Sequence, residues 1–313
     1  MAEFLPSEKD PLKWPAPKKP PVHTARRIGI HTSIAGGVEN AAERAYRLGC
    51  NTFQIFSSSP RQWRPYSLGR SQCEVMSGLR KKYDLKPLVI HSNYLINLAG
   101  LNSPFLKKSI AAFRGELERA LALCADYLVL HPGSFRESNR EQGLECTASA
   151  IREASQGLDL TKGGLTNAGL TILIENTAGA EYSLGGSFEQ VAELLELLRE
   201  TVPVGACIDT CHSHVAGYDL VTDEGRQLTL RHLEETVGLE NVRVWHCNDA
   251  KAERGSRLDR HEHIGRGKLG LEVFRALLND RRLKHPAFIA ETPVDDPGDD
   301  LRNIEALKAL VNK

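Results

Sequence analysis

Short, mostly apolar runs alternate with longer amphipathic stretches along the chain from Arg27 onward. Each run contains four to six residues, and most of the runs end in a polar side chain. Runs of this kind are typical of strands that are buried on both faces, as the strands of a parallel sheet are. Eight of them occur, at residues 28–31, 52–56, 87–91, 127–131, 171–175, 204–209, 242–246 and 287–291.

The stretches between these runs have the 3.6-residue period of amphipathic helices. The clearest helical segments are residues 103–124, 187–201, 224–237 and 271–279. Eight strands that alternate with helices predict an α/β fold, a (β/α)8 TIM barrel whose active site lies at the C-terminal ends of the strands. Because no linker long enough to divide the chain follows residue 27, we expect residues 27–313 to form one domain.

The first 26 residues differ from the rest in composition, with six prolines between residues 6 and 21 and lysines among them. A segment of this composition buries little apolar surface. We therefore predict that residues 1–26 form a flexible arm outside the barrel. The alternative interpretation is a basic tether that touches nucleic acid.

The composition of the 313-residue chain, with 41% hydrophobic and 26% charged residues, is that of an ordinary globular protein. No apolar run approaches the roughly 20 residues of a membrane span, and no signal peptide is evident, so we expect a cytoplasmic protein.

Seven cysteines without disulfide-framework spacing indicate reduced thiols, and we interpret Cys207 and Cys211 as core residues. Because the net charge is zero, a nucleic-acid partner would need a local basic surface or a bound metal.

Seven of the eight predicted strands end in a histidine or an acidic residue. These residues are His31, His91, His131, Glu175, Asp209, His246 and Glu291. The C-terminal strand ends of a barrel form one face, so these side chains would converge on one cleft. A single histidine there is more often a satisfied rim residue than a ligand. A set of imidazoles and carboxylates, however, is what a divalent metal ion requires, and zinc is the first candidate.

Two short stretches add candidate ligands beyond the strand ends. His212 lies three residues after Asp209 and can reach the same cleft from the start of the following loop. Asp259 and His261 are two residues apart, so in an extended chain their side chains point the same way and can hold one ion together.

Several of these residues lie within longer motifs, which are residues 91–99 (HSNYLINLA), 205–212 (GACIDTCH) and 245–261 (WHCNDAKAERGSRLDRH). The motifs resemble the three signatures of the endonuclease IV family, the zinc-dependent apurinic/apyrimidinic (AP) endonucleases of base-excision repair. Shorter stretches at residues 60–63, 131–134 and 175–179 agree with the same family. The resemblance spans about residue 27 to the C-terminus, and only the N-terminal arm lies outside it.

The resemblance implies three Zn²⁺ ions per chain, with Mn²⁺ as an alternative at one oxygen-rich position. Glu175 would bridge two of the ions and serve as the catalytic residue. The first site would add His91 and His131, the second Asp209, His246 and Glu291, and the third would consist of His212, Asp259 and His261. His31 matches a position near the cluster and is assigned a supporting role, whereas His214 and His263 match no ligand.

The implied activity is hydrolysis of the phosphodiester 5′ to an abasic site in duplex DNA. It leaves a 3′-hydroxyl and a 5′-deoxyribose phosphate, and cleaning of 3′ ends accompanies it. Arg61, Tyr94 and Leu95 match positions that enter the DNA at the lesion, where no base pair must be broken to flip the nucleotide. Arg257 and Arg260, in the loop beside the cleft, are candidate phosphate contacts. The resemblance also implies a monomer, associated with the nucleoid through its substrate if the source is bacterial.

Two other functions fit parts of the pattern. A sugar isomerase or epimerase with a single metal site also uses strand-end acids and a histidine on this barrel. That interpretation leaves His91, His131 and the pair of Asp259 and His261 without a role, and a metal count would distinguish it. A non-catalytic DNA-binding protein with structural zinc is the third interpretation, but structural zinc sites are typically closed and rich in cysteine.

Overall fold

Eight parallel strands form a barrel in the structure, a computed structural model that describes residues 6–17, 19–64, 66–101, 103–136, 138–165 and 169–312. The barrel strands are β1 Arg27–Ile30, β2 Phe53–Phe56, β3 Leu88–His91, β4 Tyr127–Leu130, β5 Thr171–Glu175, β6 Val204–Asp209, β7 Val242–His246 and β10 Ala287–Ala290. Two short strands, β8 Asp249–Ala250 and β9 His261–Glu262, form a separate antiparallel pair. The predicted (β/α)8 fold is confirmed.

The barrel closes where β1 meets β2. Around the sheet the strands follow the order β1-β10-β7-β6-β5-β4-β3-β2. The two end strands are joined by a parallel bridge between His31 and Gln54, and Thr32 N donates to Gln54 O at 2.8 Å. Gly29 permits this approach, because a Cβ atom there would lie 2.0 Å from the carbonyl oxygen of Thr52.

Small and branched side chains fill the interior of the barrel beneath the C-terminal strand ends. This inner cluster consists of Val89, Val129, Leu173, Cys207, Val244, Ala287 and Ile289. All of these side chains are buried, so the interior is a packed core and not a pore. Residues at alternate positions of the same strands, such as Ile90 and Ile172, pack outward in the larger core cluster.

The helices that cover the barrel are α1 Asn40–Arg47, α2 Arg70–Tyr83, α3 Leu106–Ala122, α4 Arg140–Ser155, α5 Phe188–Leu198, α6 Thr210–Ala216, α7 Asp223–Thr236, α8 Leu271–Asn279 and α9 Asp299–Ala309. Short 3-10 helices occupy Pro11–Lys13, Leu160–Lys162 and Leu239–Asn241. Helices α3, α5, α7 and α8 coincide with the four predicted helical segments to within a few residues. Within the described residues, no helix has both the length and the apolar character needed to cross a membrane.

The N-terminal segment packs against the barrel where we expected a flexible arm. Trp14 is 7% exposed and belongs to the main core cluster. Arg44 of α1 donates to both carboxylate oxygens of Asp10, at 2.8 and 2.9 Å, and Arg47 donates to the carbonyl oxygen of Trp14 at 2.8 Å. One tryptophan and one aspartate thus anchor a segment whose average composition suggested no packing. The domain boundary at residue 27 stays a prediction, and residues 1–5 and 18 lie outside the described residues.

Candidate metal centre

The C-terminal ends of the barrel strands place the predicted ligands on one face. His91, Glu175, Asp209 and His246 are the last residues of β3, β5, β6 and β7. His131 and Glu291 directly follow β4 and β10. Since all eight strands are parallel, their polar ends meet at the same edge. Glu175, Asp209 and His246 are completely buried there.

Glu175 lies at the middle of this face, and its two carboxylate oxygens contact different histidines. Oε2 is 3.1 Å from both His91 Nε2 and His131 Nε2. Oε1 is 3.0 Å from His246 Nδ1 and 3.4 Å from His212 Nδ1. A carboxylate buried this deeply needs positive charge or strong donors around it. The geometry is therefore suited to a carboxylate shared between two cations.

Three adjoining groups of histidines and acids surround Glu175, and the potential ligand atoms of each group lie within 4.8 Å of one another. The first group is His91, His131 and Glu175, the second is Glu175, Asp209, His246 and Glu291, and the third is His212, Asp259 and His261. All nine residues that the sequence analysis named as ligands are brought together, in the grouping expected from the resemblance. Their roles as ligands stay a prediction.

The donors in these groups fit divalent metal ions. Imidazole and carboxylate are ligands that zinc and manganese accept, and each group offers three or four of them. His261 Nε2 is buried and has no hydrogen-bond partner within the described residues, although Asp259 Oδ1 lies 3.2 Å away. A lone pair on this nitrogen could therefore serve a cation at the third group.

The start of α6 positions His212. Asp209 ends β6 and is the N-cap of α6, where its Oδ1 accepts a hydrogen bond from His212 N at 2.8 Å. This cap turns the chain so that the ring of His212 faces Glu175. The His212 ring is held by a 2.9 Å contact between its Nδ1 and the backbone oxygen of Asn176.

Charge is concentrated at this centre. Burial by itself would raise the pKa of Glu175, but His246 and His131 outweigh it and hold that pKa well below its ordinary value. Burial would lower the pKa of His212, whereas Asp209, Asp259 and Glu175 raise it well above the ordinary value. Glu175 is thus ionised at neutral pH and stabilises positive charge beside it, which divalent cations can supply.

Two thiols lie close to the centre, but their chemistry differs from that of the other groups. Cys207 lies near Glu175 and His246, and Cys211 lies near Asp209 and His261. Burial raises the pKa of both thiols to about 12, so they are neutral at physiological pH. Neutral thiols are poor ligands, which agrees with the interpretation of both cysteines as core residues.

Three buried amide side chains orient the acids and histidines, and the sequence analysis did not name them. Asn248 Nδ2 lies 2.5 Å from Asp209 Oδ2, and Asn248 Oδ1 accepts from the backbone nitrogen of Glu291 at 2.7 Å. Asn176 Oδ1 accepts from Asp209 N at 2.7 Å. Gln54 is the third amide. Each carried a signal in the sequence, because Asn176 and Asn248 stand beside predicted ligands and Gln54 interrupts an apolar strand.

The loops that carry the predicted DNA contacts lie above the same strand ends. Tyr94 is 58% exposed, and its ring lies 5.1 Å from the ring of Phe56 and 6.0 Å from that of His91. Leu95, next to it, is half-buried. The loop with Arg61 is tied to this segment, since Asn93 donates to Gln62 O at 2.7 Å. These two loops therefore form one rim of the centre.

The two other predicted DNA contacts lie on the loop between β8 and β9. Arg257 and Arg260 are both exposed. Arg257 has a φ angle of 59°, in the left-handed region, and its backbone nitrogen donates to Val215 O at 2.9 Å. The guanidinium of Arg260 donates to the backbone oxygen of Asp259, a residue of the third group, at 2.8 Å. All five predicted contacts stay predictions.

The three other histidines that the sequence analysis named occupy different environments. His31 Nδ1 lies 3.9 Å from Glu291 Oε1, and burial lowers the pKa of His31 to about 4, so its ring is neutral beside the centre. His214 is buried on α6, and neither ring nitrogen has a hydrogen-bond partner within the part of the chain that is described. His263 faces Asn303 at 3.1 Å, outside the three groups.

Comparisons with known proteins identify the family to which this chain is related. The profile of the xylose isomerase-like TIM-barrel family matches residues 42–310. A protein named "Probable endonuclease 4" from Solibacter usitatus is 49% identical over 91% of this chain and 96% of its own length. A protein of the same name from Cenarchaeum symbiosum is 39% identical, over 91% of this chain and 99% of its own length.

Solved structures show the same relationship. Endonuclease IV from Thermus thermophilus is 39% identical, has a TM-score of 0.79, and is matched over 91% of this chain and 98% of its own. A D-tagatose 3-epimerase-like protein is only 20% identical, with a TM-score of 0.64 over 91% of this chain and 96% of its own, so it shares the fold alone. This chain therefore belongs to the endonuclease IV family of xylose isomerase-like TIM-barrel proteins.

Proposed function

We propose that this protein is a DNA-repair endonuclease that hydrolyses the phosphodiester 5′ to an apurinic/apyrimidinic site in duplex DNA. The products are a 3′-hydroxyl and a 5′-deoxyribose phosphate, and the same centre would clean damaged 3′ ends. The observation that supports this most directly is the set of three adjoining ligand groups around Glu175, in a chain of the endonuclease IV family. A monomer that acts in the cytoplasm is part of the proposal.

The proposed cofactors are three Zn²⁺ ions per chain, with Mn²⁺ as the alternative at the second, oxygen-rich group. Each of the three groups would hold one ion, and Glu175 would be shared by the first two. Metal ions bound there would activate water and neutralise charge on the phosphate. The nine side chains are already convergent, which lowers the cost of ordering them on binding.

The chain's own residues would orient the DNA. Tyr94 and Leu95 would wedge into the base stack and hold the abasic nucleotide out of the helix, which is favourable where no base pair is broken. Arg61 would enter from the adjoining loop. Arg257 and Arg260 would bind backbone phosphates beside the third group. Local contacts of this kind are needed because the net charge of the chain is zero.

A duplex with one tetrahydrofuran abasic analogue tests the proposal. This analogue cannot undergo β-elimination, so a single cut that ends in a 3′-hydroxyl identifies hydrolysis. We expect that cut, together with close to three metal ions per chain by elemental analysis. Absence of cutting by the metal-loaded protein would refute the proposed activity. A count near one ion, with turnover of a ketose, would instead favour the isomerase.

A further inference from the structure

Gln54 is a polar residue in the middle of strand β2, and its side chain is completely buried. The flanking residues Phe53 and Ile55 pack outward in the main core cluster, so Gln54 points into the barrel. A buried amide is costly unless its donors and acceptor are bonded. The partners of Gln54 therefore explain why an amide stands at this position.

The side chain of Gln54 reaches two predicted ligands of the second group. Its Oε1 lies 2.9 Å from His246 Nε2, and its Nε2 lies 2.5 Å from Glu291 Oε1. The same Nε2 is 3.1 Å from His31 Nδ1. In the barrel, β7 with His246 is three strands away from β2, beyond β1 and β10. Gln54 thus connects residues across the interior of the barrel.

The orientation of the amide is determined by its partners. A carboxylate oxygen only accepts hydrogen bonds, so the group facing Glu291 Oε1 must be the NH₂ of Gln54. The carbonyl oxygen then faces His246. Because that oxygen also only accepts, His246 must carry its proton on Nε2. The opposite amide orientation would place two acceptors against each other at 2.5 Å.

In this arrangement Gln54 contacts neither of the two atoms that are predicted to bind metal, His246 Nδ1 and Glu291 Oε2. With its proton on Nε2, His246 has its Nδ1 atom 3.0 Å from Glu175 Oε1 and 3.2 Å from Glu291 Oε2, where a cation held between these atoms would accept the Nδ1 lone pair. Glu291 uses Oε1 for Gln54, which leaves Oε2 directed into the second group. The amide of Gln54 therefore sets the tautomer of His246 and decides which oxygen of Glu291 faces the second group.

We propose that Gln54 is a positioning residue for the second metal site. It holds His246 in the Nε2-protonated tautomer and turns one oxygen of Glu291 toward the metal. This inference rests on the proposed function, because it requires a cation at the second group. Side chains that orient metal ligands in this way typically account for about 10- to 100-fold in metal affinity.

Gln54→Leu, which has a similar volume and no hydrogen-bonding group, tests the role of Gln54 in the full-length protein. We expect one of the bound Zn²⁺ ions to lose about 10- to 100-fold in affinity in competition with a chromophoric chelator, while the others are unchanged. Cleavage of the tetrahydrofuran duplex should fall at limiting zinc and recover at high zinc. The ¹⁵N spectrum of the histidines should lose the Nε2-protonated signal of His246.

A matched control is Gln72→Leu on α2, which removes 2.9 Å contacts to Glu39 and Tyr66 away from the centre. This variant should keep all zinc affinities at the wild-type value. If Gln54→Leu does not fold, as judged by circular dichroism, Gln54→Met preserves the length of the side chain and serves in the same measurements.

The outcomes separate this inference from the proposed function. Unchanged zinc affinities and an unchanged His246 tautomer in a folded Gln54 variant would overturn the role of Gln54 alone. Equal loss of affinity at all three sites would also overturn it, because the effect would then be structural. A wild-type chain that binds no metal at the centre would overturn both.

Discussion

Glu175 has the densest set of charged contacts around a single side chain in the centre. Its two oxygens lie within 3.4 Å of four different histidine nitrogens. We expect Glu175→Gln to abolish cleavage, because a neutral amide is a poor bridge between two cations. Activity should fall by more than about 100-fold, which is the upper limit typical of a side chain that only orients metal ligands. Circular dichroism should show an intact fold. Wild-type turnover with full metal content would contradict the bridging role.

Asp300 is a residue-scale feature outside the centre. Its Oδ1 is buried without a hydrogen-bond partner among the described residues, and burial followed by the charge of Asp299 raises the pKa of Asp300 to about 7. The unfolded chain would titrate near the ordinary value of 3.8. At pH values between these two pKa values, the folded state retains a proton that the unfolded state releases. The free energy of unfolding therefore declines as the pH rises.

Asp300→Asn should therefore raise the Tm at pH 8, where the destabilisation is fully present, and change it little at pH 4. Thermal unfolding measured by fluorescence at both values tests this. The matched control is Asp296→Asn, at an exposed position of the preceding turn, which should leave the Tm unchanged. An equal shift of the Tm at both pH values would argue against titration of Asp300 as the cause.

At the scale of structural elements, the loop after β3 is the clearest candidate for reading the lesion. Tyr94 is exposed on this loop, whereas His91, a predicted metal ligand three residues before it, is buried. The double variant Tyr94→Ala, Leu95→Ala should lose cleavage of abasic duplex, because the complex in which the abasic nucleotide is flipped out of the helix is weaker. The variant should keep its zinc. Hydrolysis of a small activated phosphodiester, which needs no flipping, should survive. Equal losses on both substrates at unchanged zinc content would show that the loop supports the centre instead.

The N-terminal segment is a second element with a measurable contribution. Truncation of a buried tryptophan typically costs about 3–5 kcal/mol, and Trp14 is 7% exposed. We expect Trp14→Ala to lower the Tm by several degrees, and deletion of residues 1–25 to lower it at least as much. The control is Val22→Ala in the same segment, where the side chain is 83% exposed. An unchanged Tm after the deletion would restore the earlier expectation of a free arm.

At the scale of the whole molecule, 40 basic and 40 acidic residues give a net charge of zero. We therefore expect attraction to DNA to come from the candidate metal centre and its rim. Removal of metal with a chelator should weaken binding of abasic duplex in fluorescence anisotropy, and added Zn²⁺ should restore it. The Tm should fall as well, because a ligand at about 100 times its Kd contributes about 2.7 kcal/mol to the folded state. Unchanged binding and Tm after verified metal removal would contradict a functional metal centre.

Much of the architecture was predictable because its signals are local in the sequence. Each barrel strand is a short apolar run, and a strand-end residue such as His91 or Asp209 must lie on the C-terminal face once the strands are parallel. The match of residues 205–212 and 245–261 to known motifs supplied the grouping of ligands. The strand limits in the structure differ from the predicted ones by only a few residues.

The sequence by itself therefore determined the order of strands and helices and the set of side chains at one end of the barrel. Only the tertiary structure decided which atoms meet there. The contact of Gln54 with His246 joins positions 192 residues apart, and that of Arg44 with Asp10 joins a helix to a segment that composition marked as free. Such pairings depend on closure of the barrel and on the packing of single side chains. Neither leaves a periodic signal along the chain, because each contact is set by distance in space and not by separation in sequence.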